Sequence, residues 1–430
     1  MASNLDYACL LNDERQNSGR SLYMFKDCIT QANAQPGLND DPATSAEVRE
    51  ILTLAKQDFN DISPEQEKLI ENVGKLFKDF NGTLKINGSK KVVQVFNKMR
   101  NRKYDMSIPN KEFRVVGFPD VGKGFEMKAR VIAKDSEELA FEATTMYDAM
   151  DTYLDKLAQM HRYARSVLGK EAESIILMDI EKLVALDPDK ELKYRFISDG
   201  DPAEDSSKFY LRSVVDAKRY KLYDNGLVLY LGLMAVNNYA LAGNVNFHVV
   251  DFQLTDSKME LYLLENNSKT LKGGVKVETG ILISNSEIAD GSVRFDLLYK
   301  ISDGDKTVRL TGDKVLSFAH SWNSKVIKEK LDGLSKLNDF VEDIYSAVEK
   351  VKFSEKVGTE LLFKIFDKLS HAKSLPMDLK TKIENEQDTA NNTETLLSVL
   401  SRIEEISSKY GEDTNLFIQA KLHELLVKNR

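Results

Sequence analysis

The chain is poor in cysteine, proline and long apolar runs, and each shortage excludes a class of protein. Its two cysteines, Cys9 and Cys28, form no Cys-x-x-Cys pair, which excludes a disulfide scaffold and a cysteine-rich zinc site. Eight prolines without a cluster argue against long disordered linkers. The sequence has no uninterrupted apolar run of about 18 residues and no signal-peptide pattern at its start. We therefore expect a cytoplasmic protein without membrane contact.

Catalytic and cofactor motifs are also scarce. Five histidines are scattered without His-x-x-x-His spacing, and no Gly-x-Ser-x-Gly turn occurs. The run Gly117–Lys123 has the spacing of a phosphate-binding loop, but Gly124 follows where magnesium binding needs Ser or Thr. Phe125–Ile132 then alternates like a strand, which favours a hairpin turn instead. We expect no metal and no cofactor, and we favour a protein without enzymatic activity over an enzyme.

The patterning of apolar residues predicts an α+β fold with a central, mostly antiparallel sheet, flanking helices and a C-terminal helical bundle. A hydrophobic content of 42% is enough for substantial cores. We divide the chain into an N-terminal helical region (1–80), an α+β core (81–320) and a C-terminal helical region (321–430). The predicted helices are Ser21–Asn33, Ala46–Asp58, Pro64–Phe80, Met146–Leu168 and Ser174–Leu186, and the predicted strands are Phe113–Gly117, Phe125–Ile132, Val245–Leu254 and Met259–Leu264.

The stretch Gly280–Tyr299 is the most distinctive in the sequence. Its alternating apolar residues predict two strands joined at Glu287–Gly291. Asn285, Ser286 and Glu287 interrupt the apolar pattern, and buried side chains of this type need hydrogen-bond partners. The motif is either a site of unknown role or a strand end that leads into a turn.

Three segments carry a resemblance to a known family. They are Leu211–Asp216 with Arg219–Asn225, the strand pair Val245–Leu254 and Met259–Leu264, and the Ser284–Glu287 strand with its Gly291-Ser292 continuation. Together they resemble domain of unknown function 932, an uncharacterised family of phage- and plasmid-encoded proteins. The pattern departs at Ile288-Ala289 and Ile301–Gly304. The resemblance implies a mobile-element origin, a bacterial host cell and an α+β core, and it gives Asp224, Asn225, Asn285, Ser286 and Glu287 no known role.

Charge is distributed unevenly. Between Phe80 and Tyr104 there is no acidic residue, so this block carries +7, whereas the whole chain carries −8 and the remainder therefore −15. Clustered cations bind phosphates without sequence preference and release counterions. Phe96 and Tyr104 are available to stack on bases. The predicted nucleic-acid contacts are Lys85, Lys90, Lys91, Lys98, Arg100, Arg102 and Lys103, with Arg219 and Lys221 added from the first family segment.

Three interpretations of function follow. We favour a non-catalytic phage or plasmid protein that associates with DNA in replication, recombination or strand annealing. The first alternative is a host-takeover or anti-defence factor that binds a host protein. The second is a self-assembling structural protein, which would form a homo-oligomer. The basic block itself has a simpler explanation as a solvated face that balances the acidic segment Asp135–Lys208.

Overall fold

A computed structural model describes residue 28 and residues 30–57, 62–99, 102–122, 124–134, 138–199, 207–288, 291–390 and 394–428. For Arg102, Asp388 and Thr389 it describes the backbone alone. Among the residues named above, Cys9, Arg100, Lys123, Ala289 and most of the predicted helix Ser21–Asn33 lie outside the described residues.

Helices and strands are mixed along the chain, with runs of consecutive strands and runs of consecutive helices. The strands are β1 Gln31–Ala34, β2 Ile86–Asn87, β3 Arg102–Pro109, β4 Phe113–Gly117, β5 Lys128–Ile132, β6 Leu139–Thr145, β7 Glu191–Ser198, β8 Phe209–Asp216, β9 Phe247–Thr255, β10 Lys258–Thr270, β11 Lys276–Ser286, β12 Val293–Asp303 and β13 Lys306–Phe318. The helices are α1 Ser45–Gln57, α2 Pro64–Lys75, α3 Ser89–Lys98, α4 Ala149–Ala158, α5 His161–Leu168, α6 Glu173–Leu186, α7 Asn225–Gly243, α8 Ser324–Leu331, α9 Leu337–Val351, α10 Thr359–Ser370, α11 Met377–Thr389, α12 Leu396–Ser407 and α13 Glu412–His423.

The strands divide between two sheets. The larger sheet is an antiparallel meander in the order β9-β10-β11-β12-β13, with β1 and β2 added along the outer edge of β9. The smaller sheet has the order β3-β7-β8-β6-β5-β4, in which β6 and β8 are the parallel pair. The α+β class with mostly antiparallel pairing is therefore confirmed.

Among the described residues, the two largest hydrophobic cores match the two sheets. The core of the smaller sheet draws its buried residues from the segment between Ile108 and Val214. The core of the larger sheet combines residues from Ala32 to Met99 with residues from Tyr223 to Leu426. N-terminal and C-terminal helices thus share one core with the larger sheet, a grouping that cuts across the predicted boundaries at residues 80 and 320.

Helix α7 is the buried centre of the larger core. Its residues Asn225–Gly243 have the length and mean hydropathy (1.3) of a membrane span, but 72% of that window is buried inside the fold, as in a core helix. Gly232 lies so close to β11 that an added Cβ would be 2.7 Å from the Ile283 side chain. A small residue at this position therefore allows the helix to pack directly on the sheet.

Most local predictions are confirmed, with a few corrected boundaries. The Ser63 cap accepts a hydrogen bond from the Gln66 N–H and begins α2, but this helix ends at Lys75 instead of Phe80. The predicted helix Met146–Leu168 is broken into α4 and α5 at Gln159, which has a left-handed conformation. Residues 31–33, predicted as the end of a helix, are part of strand β1. The segment with phosphate-loop spacing lies between β4 and β5 and forms a turn that is closed by an isolated β-bridge between Asp120 and Phe125.

The C-terminal helices α12 and α13 pack on the other face of the larger sheet through a buried polar cluster. The Tyr262 hydroxyl lies within hydrogen-bond distance of the Glu260 carboxyl (3.1 Å) and also of the Glu412 carboxyl. The hydroxyl has a single hydrogen and can donate it to only one of the two carboxyl groups at a time. Charged groups packed around this trio are Asp251, Lys258, Arg309, Glu404 and Asp413.

This cluster predicts that stability decreases as the pH rises. Burial, together with the nearby charges of Glu412 and Asp413, raises the pKa of Glu260 well above 4.5. The folded state therefore retains a proton that the unfolded chain releases near pH 4.5, and the stabilisation is present below that pH and lost above it. We expect the free energy of unfolding to fall by up to about 1.4 kcal/mol for each pH unit between pH 4.5 and the raised pKa of Glu260.

Urea unfolding of Glu260→Gln between pH 4.5 and 8 tests this expectation. The amide keeps a hydrogen-bonding group but cannot ionise, so the pH dependence should become flatter than that of the wild type. Glu360→Gln on α10, an exposed carboxyl paired with Lys364, is the control and should leave the slope unchanged. If the free energy of unfolding depended on pH equally in the wild type and in Glu260→Gln, Glu260 would not retain a proton in the folded state.

Candidate functional site

The Asn285–Glu287 motif lies in a buried network of ion pairs between the two sheets. Strands β3, β7 and β8 of the smaller sheet face the first turn of α7 and the end of β11 at this place. The charged members, with side chains at most 4% exposed, are Lys103, Asp105, Arg195, Arg212, Asp224 and Glu287. Segments far apart in the sequence thus meet at one point.

Glu287 is the central member. Its carboxylate accepts hydrogen bonds from the Lys103 Nζ at 2.8 Å and from the Arg212 Nη1 at 2.8 Å. The backbone N–H of Asn225, in the first turn of α7, also donates to it at 2.8 Å. A negative charge is favoured at this position because the helix N-terminus presents unpaired N–H groups and the positive end of its dipole. The carboxylate is therefore held by three donors from three elements.

Arg195 connects the remaining acids. It donates to Asp105 through Nε (2.9 Å), to Asp224 through Nη2 (2.7 Å) and to the carbonyl of Glu287 through Nη1 (2.6 Å). Burial opposes ionisation of Asp224, but Arg195 and Lys103 hold its pKa below the usual range. Burial raises the pKa of Asp105, although Arg195 and Arg212 act against it. Asp224 is therefore ionised at neutral pH.

Asn285 of the motif bonds to Asn225 in the first turn of α7. The Asn285 side chain donates to the Asn225 side-chain oxygen at 2.8 Å and to the Tyr223 carbonyl at 3.2 Å. Ser286 lies opposite Lys258 at the end of β11 and is buried. The interpretation of the motif as a plain strand end is thus incomplete, because two of its three polar side chains fix the start of α7.

The network contains three cations and three carboxyl groups, so its positive and negative groups are equal in number. This balance indicates that the network positions the two sheets and α7 and does not act in acid–base chemistry. Removing one partner would leave an uncompensated buried charge, so these side chains are expected to depend on each other. Within the described ranges, no group of three or more His, Cys, Asp or Glu side chains is arranged to hold a metal ion.

No protein-family model, no curated protein and no solved structure matches the chain. The resemblance based on the three quoted segments therefore stays a prediction. Residues from the first and third of those segments, Arg212, Asp224 and Glu287, nevertheless lie in the buried network.

The described residues of the predicted basic block do not form one continuous exposed surface. The prediction for Lys103 is wrong. Its side chain is buried in ion pairs with Asp224 and Glu287 and cannot reach a phosphate from this position. Lys90 pairs with Glu47 at 3.6 Å, and Lys85 is half-buried. Lys91 and Lys98 are exposed on α3, whereas Arg100 and the Arg102 side chain lie outside the described part of the chain.

Of the two aromatic residues assigned to base stacking, Phe96 is buried, so that prediction is wrong for it. Phe96 is buried against the first turn of α7, where a Cβ on Gly226 would lie 3.0 Å from its ring. Tyr104 packs edge-on against Phe209 with ring centroids 5.4 Å apart. Phe96 is therefore a core residue, as is usual for an apolar side chain in an element with a buried face, whereas Tyr104 is half-buried.

The second basic segment lies in the loop 217–224, which connects β8 to α7. Lys218 and Arg219 are exposed there and Lys221 is half-buried. The Lys221 N–H donates to the His320 carbonyl at 2.7 Å, and this contact places the loop beside the segment that leads into α8. Burial, with the charge of Arg195, lowers the pKa of His320 to about 4, so the ring is neutral at physiological pH.

Arg195, Asp105 and Trp322 were not among the residues singled out from the sequence. Arg195 has a weak sequence signal, since it is a charge between two apolar neighbours, Tyr194 and Phe196, in a buried strand. Such a residue needs a partner, but the sequence does not indicate which one. Trp322 is the single tryptophan of the chain, and nothing in the sequence connects it with Lys221.

Proposed function

We propose that the protein binds nucleic acid through phosphate contacts at a basic surface made by α3, the loop 217–224 and α8. The setting we propose, following the family resemblance, is the replication, recombination or strand annealing of a phage or plasmid. The binding is sequence-independent, and no catalytic step is assigned to the protein.

One contact carries this proposal. Phe96 of α3 packs against Gly226 in the first turn of α7, and the loop 217–224 enters α7 at the same turn. Two basic segments that are distant in the sequence therefore approach each other, and the ion pair between Lys103 and Asp224 (3.2 Å) holds them together. The buried network thus supports the surface without touching the ligand.

Helix α8 adds further charge beside the loop. Its N-cap, Asn323, accepts a hydrogen bond from the Val326 N–H, and the helix then exposes Lys325, Lys328 and Lys330. Near the loop, the Gln66 side chain of α2 donates to the Leu222 carbonyl at 2.9 Å. The acidic first turn of α2 therefore bounds the basic surface on that side.

A four-alanine variant tests the proposal: Lys91→Ala, Lys98→Ala, Lys218→Ala and Arg219→Ala combined. Each lost phosphate contact should lower the slope of log K against log salt by about 0.7 to 0.9. The variant is expected to bind labelled DNA more weakly and with a slope smaller by up to about three. Fluorescence anisotropy at several salt concentrations measures both quantities.

The control removes the same charge elsewhere on the surface. It combines alanine at Lys306, Lys364, Lys373 and Lys409, which are exposed on β13 and the C-terminal helices. This variant should keep most of the wild-type slope. Equal losses in both variants would mean that binding follows net charge alone, and no DNA binding by the wild type would reject the proposal.

A further inference from the structure

We infer that the ligand of the proposed basic surface is single-stranded nucleic acid, with Trp322 as the platform on which a base stacks. This inference rests on the proposed function and adds the strandedness of the ligand. It comes from the position of Trp322, a half-buried ring outside the basic block, whereas Phe96 of the block is buried.

Trp322 is fixed beside the basic loop by its own backbone. Its N–H donates to the Ala319 carbonyl at 3.1 Å, and its carbonyl accepts from the Tyr223 hydroxyl at 3.0 Å. Tyr223 is buried two residues after Lys221. The indole ring is partly buried against the larger core and keeps the rest of its surface accessible. The ring is thus held in place where the loop and α8 meet.

One lysine lies over this ring, and further cations lie on the adjoining segments. The Lys330 Nζ lies 5.5 Å from the ring centroid, within the range of a cation–π contact. Exposed cations of the adjoining segments are Lys218, Arg219, Lys325 and Lys328, and the acids among their neighbours are Glu65, Glu67, Asp216, Glu329 and Asp332. An aromatic ring beside a cationic track is the combination that single-strand binding proteins use, because stacking holds a base while cations hold its phosphates.

Stacking on a protein ring selects for unpaired bases. In a duplex both faces of each internal base are covered by neighbouring bases, so a ring on a protein surface reaches a base face only in a single strand or after unpairing. Phosphate contacts alone make no such distinction. The preference for single strands should therefore depend on Trp322 and leave the salt dependence nearly unchanged.

The single tryptophan makes the test direct. An unlabelled oligothymidylate of about 20 nucleotides, longer than most single-strand sites, is titrated into the full chain while tryptophan fluorescence is followed. A duplex of the same length is the comparison. We expect the single strand to change the fluorescence of Trp322, and the duplex to bind with a smaller change.

Two variants complete the experiment, with labelled DNA and anisotropy as the readout. Trp322→Ala should weaken binding of the single strand roughly 5- to 150-fold and leave duplex binding close to that of the wild type. Trp322→Leu keeps an apolar side chain on the core but has no aromatic ring, so it should also lose single-strand affinity. It remains informative if the alanine variant does not fold.

The outcomes separate this inference from the proposed function. Single-strand binding without any fluorescence change, or unaltered in both Trp322→Leu and Trp322→Ala, overturns the stacking platform. Equal affinity for single strand and duplex, with the salt slope still reduced in the four-alanine variant, retains the phosphate surface and rejects the single-strand preference. Absence of binding to either DNA rejects both.

Discussion

Replacing Glu287 by leucine is expected to lower the free energy of unfolding by about 3–5 kcal/mol. The substitution leaves Lys103 and Arg212 buried without their shared carboxylate, and it removes the acceptor of the Asn225 N–H. Buried charges that lose their partner are much more costly than an exposed pair that is broken. Urea unfolding followed by circular dichroism measures the loss.

The matched control lies on β11, the strand that leads into Glu287. Glu278 of β11 pairs with Lys300 at 3.4 Å near the surface, and Glu278→Gln should cost less than about 1 kcal/mol. A double-mutant cycle of Lys103→Met and Glu287→Gln should show a coupling of about 0.5–3 kcal/mol, because the two side chains contact each other. If Glu287→Gln were as stable as the wild type, the network would not hold the two sheets together.

The second large effect is expected from Gly280→Ala, at about 3 kcal/mol or more. A Cβ on Gly280 would lie 1.9 Å from the Leu263 carbonyl oxygen and 2.8 Å from the Leu264 Cα. These are backbone atoms of the neighbouring strand β10, so no side-chain rotation can relieve the overlap. The strands would have to separate just beside the irregularity in pairing between Leu264 and Ser268.

Gly291→Ala is the control for this prediction. It lies in the turn between β11 and β12, where an added Cβ would have no atom within 4 Å. Its effect on unfolding in urea should stay within about 0.5 kcal/mol of zero. A Gly280→Ala protein with wild-type stability would show that β10 and β11 are not in such close contact at this point.

Local structure could be predicted from the sequence wherever short-range rules determine it. The Ser63-Pro64 start of α2 follows from capping and from the tolerance of proline in the first helical turn, and the structure has both. The alternating residues on either side of Glu287–Gly291 likewise predicted β11 and β12. Helix ends were less accurate, since a single left-handed residue, Gln159, breaks one predicted helix into two.

The candidate site was predictable only in part. Asn285 and Glu287 stood out because they are polar within an apolar strand, and the need for buried partners followed from that. Their partners lie on β3, β7, β8 and α7, and only the tertiary fold determines which distant strands become neighbours. The same limit explains Lys103: its position in an acid-free block suggested exposure, yet the acids that neutralise it come from residues 224 and 287.

The order of the elements along the chain has a consequence for biosynthesis. Strand β1 pairs with β9, so Gln31 lies opposite Thr255, while all six strands of the smaller sheet are encoded between these two partners. A nascent chain completes the smaller sheet at Asp216 before β9 has been translated. Because domains acquire structure from the N-terminus as they emerge from the ribosome, the N-terminal strand must wait unpaired while the inserted sheet folds first.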